Sequence, residues 1–428
     1  MEKSIGEKIK VFYFMIVAVL MYYFLTEAIQ IGLHITYRHA FAVVLAGSAI
    51  CMFLYQPNIE RGFTAFKGAL VYSTPLLVTT VVSLFVWFVG TVPTDVISRG
   101  LSSSFIYTNM LSFALAAGAF LYVFGEKGIW YNLVAILVAN LLMIATIIIE
   151  NGLGSFFSEF ITLIITFAGE TGDIIVQAEI HELAFCLGAY LIYMLYKPQK
   201  KLWFLVLLCL NLFCFVAAFK RIGIIAIAVC WAFGLLLKWI AKYNQKLAKN
   251  SVTFLCVLTI LILVGYVGLI KLDVFTLLEK AGINTSGRVE IYDAVDKFYE
   301  FSPSFLGNGI GFLTYQLNTF MKVGVASVHN DFLQHFIDLG FFGYIIWLAS
   351  MTLVRVWYFG RKGQTENAIV TFILTLYLII VSSTDNTMNY PLLTGVLAIL
   401  MIGCNFDSRV KETKQAVFGY SESEERTK

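Results

Sequence analysis

Apolar runs of bilayer length recur along the whole chain, at about residues 11–25, 39–55, 68–91, 105–124, 129–149, 180–196, 202–219, 222–237, 252–270, 332–354, 368–384 and 391–405. At about 1.5 Å of rise per residue, most of these twelve runs cover a hydrocarbon core of roughly 30 Å. Those of 15 to 17 residues need flanking residues or local thinning of the bilayer. Backbone polar groups inside a bilayer must be satisfied by the protein itself, which leaves helices or a closed barrel, and these runs exceed a barrel strand. The expected fold is an all-α polytopic membrane protein of about 12 transmembrane helices, packed as one membrane domain over residues 1–428.

Charged residues make up only 13% of the chain, against roughly 25% in soluble domains. The net charge of +3 says little about nucleic acid, and none is expected as a partner. The distribution of charge is more telling. With a cytoplasmic N-terminus, 21 of the 30 Lys and Arg fall on the cytoplasmic side, in clusters such as Lys197-Lys200-Lys201 and Lys238-Lys242-Lys246-Lys249. The positive-inside rule thus predicts both termini in the cytoplasm. Thr26 to Gln30 offers no small-x-small cleavage site after the first run, so that run is read as an uncleaved span.

The same parity settles two stretches. Between Lys127 and Lys197 there are acids (Glu150, Glu159, Glu170, Asp173, Glu179, Glu182) but no Lys or Arg, so Phe156 to Ala168 is expected not to cross. Residues 202–237 lie between two Lys clusters, which forces a hairpin with Lys220 and Arg221 at its outer turn. The seven Cys all sit in or beside apolar runs, and neither a disulfide framework nor a thiolate metal site is indicated. Glu179, His181 and Glu182 lack a second His at i+4, so no metal site is expected there either.

One large external loop is expected, residues 271–331, between the ninth and tenth spans. Asn284 to Gly287 reads as a turn, with Ser286 placed to cap a helix from Arg288 to about Tyr299. On that helix Arg288, Tyr292, Val295 and Tyr299 share one face, and Glu290, Asp293 and Lys297 share the other. After Pro303, the run Gly307-Asn308-Gly309-Ile310-Gly311 is either a tight surface turn or a turn whose N–H groups approach a phosphate. It is not a dinucleotide fingerprint, because no strand precedes it and the third Gly comes one position early.

The loop ends in Ser327 to Gly343, SVHNDFLQHFIDLGFFG, where polar residues run straight into an apolar span. Asn330 is placed to cap the helix, leaving His329 just outside it. Asp331, His335 and Asp338 recur at i, i+4 and i+7 as one polar stripe, which should face protein or a wet cavity. Asp385 and Asn386 in the last outer turn either line that cavity or cap a helix.

The order of these features resembles the O-antigen ligase and polysaccharide polymerase superfamily. Arg221 ends a middle span, Arg288 leads a loop helix, Pro303 precedes Gly307, Gly309 and Gly311, and His329-Asn330 with Leu333, Gln334, Gly340 and Gly343 opens the next span. Tyr292 stands where a Trp is common, and Lys220 where a small residue is common. The resemblance implies a GT-C-like glycosyltransferase acting on polyprenyl-diphosphate-linked glycan, donor and acceptor alike, at the external face of a bacterial inner or plasma membrane. A flippase and a chain-length regulator join the lipid bilayer as implied partners.

The residues suit that chemistry. Guanidinium groups bind the oxygens of a diphosphate bidentately and can take the place of a metal ion, so no metal or other cofactor is expected. Arg221 and Arg288 are the candidates, and His329 is the candidate base for the acceptor hydroxyl. Lys220, Asn330, Tyr292, Gln334 and Gly309 are the candidate substrate-binding residues. A polymerase of surface polysaccharide repeat units is the preferred reading, such as O-antigen, capsule or exopolysaccharide. An O-antigen-type ligase is the enzymatic alternative, and a membrane transporter the alternative of another class, for which inverted repeats would be expected.

Overall fold

The computed structural model describes residues 2–30, 34–90, 92, 94–166, 181–218, 220–282, 288–320, 328–361 and 364–418. Glu170, Asp173, Glu179 and the Asn284–Gly287 turn with its capping Ser286 lie outside the described residues. Regular structure among the described residues is helical. In chain order the helices are α1 (Glu2–Gln30), α2 (His34–Tyr55), α3 (Ile59–Tyr72), α4 (Thr74–Val89), α5 (Thr94–Phe124), α6 (Gly128–Asn151), α7 (Leu153–Thr166), α8 (His181–Tyr196), α9 (Leu202–Ala217) and α10 (Arg221–Tyr243). They continue as α11 (Gln245–Lys271), α12 (Val274–Lys280), α13 (Arg288–Val295), α14 (Phe312–Phe320), α15 (Asp331–Ala349), α16 (Arg355–Phe359), α17 (Thr365–Ser382), α18 (Pro391–Gly403) and α19 (Phe406–Phe418).

Among the described residues, five helical stretches are long and apolar enough to cross a membrane: Met110–Asn151, Arg221–Tyr243, Gln245–Lys271, Asp331–Phe359 and Thr365–Ser382. Two bent pairs raise the number to seven, α3 with α4 at 53° and α18 with the following helix at 57°. Val44–Tyr55, Leu183–Tyr196 and Leu202–Ala217 are shorter apolar helices. The chain is therefore a multi-pass membrane protein, helical and with five to seven candidate spans by length and composition among the described residues. Its lipid-facing character is plainest in α10 and α11, where only 22% and 28% of the most apolar window is buried.

The chain divides into two compact units. The first comprises residues 1–70, 112–232 and 391–428. Within it α1 packs on α6, and α8 on α9 and α18. Its core holds buried polar groups that find one another: Asn132 donates to the Tyr22 hydroxyl (2.8 Å) and accepts from the Tyr190 hydroxyl (2.7 Å). Such bonds between membrane helices are worth about 1 kcal/mol each and fix which faces meet.

The second unit, residues 71–111 and 233–390, is built on α15. Helices α4 and α11 pack against it, and α11 also packs on α17. The sequence predicts one unbroken span here, but the helix is interrupted at Gly340, with φ 72° and ψ −179°. A side chain at Gly340 would overlap the Leu306 backbone, so the close approach requires glycine. The break frees carbonyls that an inserted loop then satisfies. Asn308 N–H donates to Ile337 O (3.1 Å), Gly309 N–H to Asp338 O (2.7 Å), and Phe341 N–H to Phe305 O (2.9 Å). Irregular backbone in a membrane segment is tolerated when protein covers it in this way. A π-helical turn at Ser350–Val354 joins α15 to α16.

Candidate active site

The geometry begins at the first turn of α15. Asn330 Oδ1 accepts from the Phe332 and Leu333 N–H groups (3.1 and 3.2 Å), so the predicted cap is made. The same side chain has a second task. Its Nδ2 donates to the Tyr266 hydroxyl (3.0 Å) on α11 and to the Tyr292 hydroxyl (2.9 Å) on α13, and Asn330 is fully buried. One amide thus fixes the start of α15, the end of α11 and the loop helix.

His329 precedes the cap with φ 50°. A non-glycine residue held there carries roughly 1–2 kcal/mol of backbone strain, maintained by the cap and by what surrounds it. Its ring is 48% exposed, and Nδ1 lies 3.9 Å from Asp385 Oδ1. That is charge proximity and longer than a hydrogen bond. Asp385 is itself positioned: its Oδ1 accepts from the Asn386 N–H (2.8 Å) and from the Tyr390 hydroxyl (3.2 Å). The turn that carries it is tied to α15, because Asp331 Oδ2 accepts from Met388 N–H at 2.9 Å.

Arg288 opens α13 and is half-buried, with Nη2 donating to Thr384 O at 2.8 Å. The two-faced reading of this helix agrees with burial. Tyr292, Val295 and Tyr299 are buried, whereas Glu290, Asp293 and Lys297 are exposed. The helix is shorter than its pattern predicts, passing into a 3-10 turn at Asp296–Phe298, and Tyr299 is extended. Burial and the neighbouring Asp296 raise the Tyr299 phenol well above its ordinary pKa, so it stays neutral.

The polar stripe on α15 faces protein. Asp331, His335 and Asp338 are each at most 3% exposed. His335 Nδ1 contacts Asp331 O at 2.7 Å, and its ring stacks on Trp347 at 4.1 Å. Asp338 receives the backbone N–H groups of Gly311 and Leu313, anchoring the start of α14. Gln334 is buried in the same helix. Gly309, a candidate phosphate ligand, has its N–H committed to Asp338 O and its Cα face against Trp87. The neighbouring Ile310 N–H goes to Ser83 Oγ (3.0 Å), so the glycine turn docks a loop and presents no free anion nest.

Lys220 and Arg221 belong to the other compact unit. Arg221 is exposed at the first residue of α10, and the Lys220 ammonium lies 5.6 Å over the Phe185 ring. The second unit therefore brings together His329, Asn330, Arg288 and Tyr292. Sequence reasoning missed Tyr266 and the Thr384 carbonyl. An aromatic near a span end reads as interface belt, and a backbone carbonyl has no side-chain signature at all.

Residues 203–348 match the family model described as O-antigen ligase. Over that segment the chain is similar to the O-antigen ligase family. The match covers α9 to α15, with Arg221, Arg288, Tyr292 and the His329-Asn330 start of α15 inside it, and bears out the superfamily resemblance. An O-antigen ligase domain implies a glycosyltransferase-like enzyme working in a membrane on lipid-linked glycan. No curated protein matches the chain. Asp385 and Thr384, which contact His329 and Arg288, lie beyond the matched O-antigen ligase segment.

Proposed function

We propose that the chain is a metal-independent polymerase of surface polysaccharide repeat units, working at the external face of a bacterial inner or plasma membrane with both termini in the cytoplasm. The observation that carries the reading is the His329-Asn330 start of α15. There a strained, exposed imidazole stands beside a fixed carboxylate, and the amide next to it holds the helix that presents Arg288.

In the reaction, the acceptor hydroxyl oxygen on one lipid-linked repeat attacks the anomeric carbon of the other. The carbon–oxygen bond to the polyprenyl diphosphate breaks, and its electron pair leaves with the diphosphate. His329 Nε2 takes the hydroxyl proton, while Asp385 beside Nδ1 favours the tautomer that leaves Nε2 free and stabilises the imidazolium that forms. Arg288, steadied by Thr384 O, is the guanidinium that meets the departing diphosphate. Arg221 is a second diphosphate ligand by the resemblance. Lys220, Gln334 and Asn330 act in substrate binding mainly by shaping the surroundings.

The description of the matched family favours a second reading, a ligase that hands finished glycan to a different acceptor. A transporter gains little from the broken α15, because Asn308 and Gly309 occupy the carbonyls that an ion would need. The test is purified protein with a lipid-diphosphate-linked repeat as sole substrate, chelator present. A ladder of products is expected, and His329→Ala should lower its rate by about 10²–10⁴-fold. Chain growth only after a second acceptor class is added would make the enzyme a ligase. Solute uptake into proteoliposomes without any glycan product would make it a transporter.

A further inference from the structure

Beside the candidate active site, a cavity of about 350 Å³ opens between the end of α11, α12 and α13. The O-antigen ligase reading makes no use of it. Its walls include Phe275, Tyr292, Lys271, Asp273, Asp293 and Asp296. Tyr292 is shared with the active site, since its hydroxyl accepts from Asn330 Nδ2. Tyr292 therefore links the cavity wall to the Asn330 amide at the start of α15.

The chemistry of the walls is specific. Phe275 and Tyr292 meet edge to face at 5.1 Å and 87°, giving the cavity a rigid aromatic corner. The one ammonium is committed: Lys271 Nζ lies 2.7 Å from Asp296 Oδ1 and donates to Asp296 O and Tyr299 O. Asp273, held at φ 57°, accepts from the Thr276 hydroxyl, and Asp293 is exposed. Burial and then the nearby Asp273, Asp296 and Glu279 push the Asp293 carboxyl above its ordinary pKa. The walls therefore carry an excess of negative charge.

An ion does not suit this space, because among the described residues no group of three or more His, Cys, Asp or Glu is gathered closely enough to hold a metal. The volume is instead at the lower end of the range that takes small organic ligands. Carboxylates that accept from hydroxyls, set around an aromatic corner that covers C–H faces, match a pyranose ring. Excess negative charge opposes a carboxylate or phosphate on that ring.

We propose that this cavity is a glycan subsite for one sugar residue, neutral or amino and not acidic, on the chain whose neighbouring unit reacts at His329. The proposal rests on the glycosyl-transfer reading. It adds a specificity element which that reading does not require.

The test uses purified full-length protein and measures saturation-transfer binding of the methyl glycosides of glucose, glucosamine and glucuronic acid at millimolar concentration. The first two are expected to bind and the third to be excluded. Phe275→Ala and Asp293→Asn should each weaken binding by about tenfold. Asp293→Lys, at an exposed position, should admit the glucuronide. His329→Ala should keep the wild-type binding pattern, so loss of transfer in that variant with binding retained separates the two claims. If wild-type protein binds the glucuronide as well as the glucoside, or binds none of the three, the subsite falls and the transfer reading stands on its own assay. Unchanged selectivity in Phe275→Ala and Asp293→Lys together would overturn it as well.

Discussion

Two helices of this protein open on a polar pair, α10 on Lys220-Arg221 and α15 on His329-Asn330, and the fold treats them in opposite ways. At α15 the second residue of the pair caps the helix, is fully buried and holds two tyrosines on other helices. At α10 the carbonyl of Lys220 accepts from the Ile224 N–H (3.3 Å), but an ammonium has no acceptor to offer the first-turn N–H groups. Arg221 then places an exposed cation at a helix N-terminus, where the macrodipole disfavours it. One pair stabilises its helix and is organised before substrate arrives. The other sets its charge against the preference of its helix, and the proposed use for that charge is an anionic ligand.

The largest expected effect sharpens that contrast through the two arginines. Arg288 is oriented by its bond to Thr384 O, and in the proposed site its planar guanidinium also meets the diphosphate, which a lysine cannot imitate with one compact charge. Arg221 is exposed and can be approximated by a point charge. In a steady-state transfer assay, Arg288→Lys is expected to lower kcat/KM by about ten- to a hundredfold, and Arg221→Lys by only a few-fold. Equal losses would mean that organisation is not what separates the two sites.

The next effect breaks the α15 start in two steps. Asn330→Ala removes the cap and both phenol contacts, and should cost about 2–3 kcal/mol of stability. Asn330→Asp keeps an acceptor for Phe332 and Leu333 N–H but cannot donate to Tyr266 or Tyr292. Its thermal midpoint is expected between those of wild type and Asn330→Ala, with turnover near that of Asn330→Ala. An aspartate variant with wild-type turnover would show that capping alone is the task of Asn330.

Much of this was legible in the sequence, for identifiable reasons. The Asn330 cap, the buried stripe of Asp331, His335 and Asp338, and the two-faced loop helix all follow from local spacing, and local spacing survives packing. A break between apolar helices at Lys220-Arg221 follows from charge clusters and likewise appears as the α9–α10 junction. What was not legible depends on distant pairing. The interruption at Gly340 needs Leu306 and Gly307 to arrive from a loop far away in sequence, and apolar periodicity runs through the break without a sign. Gly309 carried a phosphate-loop expectation because a sequence shows N–H groups without showing that Asp338 O already takes one. Tyr266 joins the site only through Asn330 Nδ2.

The smallest expected effect has the most diagnostic sign. If Arg221 serves a ligand and not its helix, removing its charge should relieve an unfavourable interaction with the N-terminus of α10. Arg221→Gln is then expected to gain about 0.3–1 kcal/mol of stability, less in high salt, while transfer activity falls. The gain would be read as a higher thermal midpoint in detergent for a less active enzyme. A functional group kept against the preference of its own helix behaves in this way, because the unliganded protein carries the strain that the substrate's charge later offsets. Loss of stability on Arg221→Gln would show instead that the guanidinium is bound into the structure, and the contrast between the two helix starts would fail at that point.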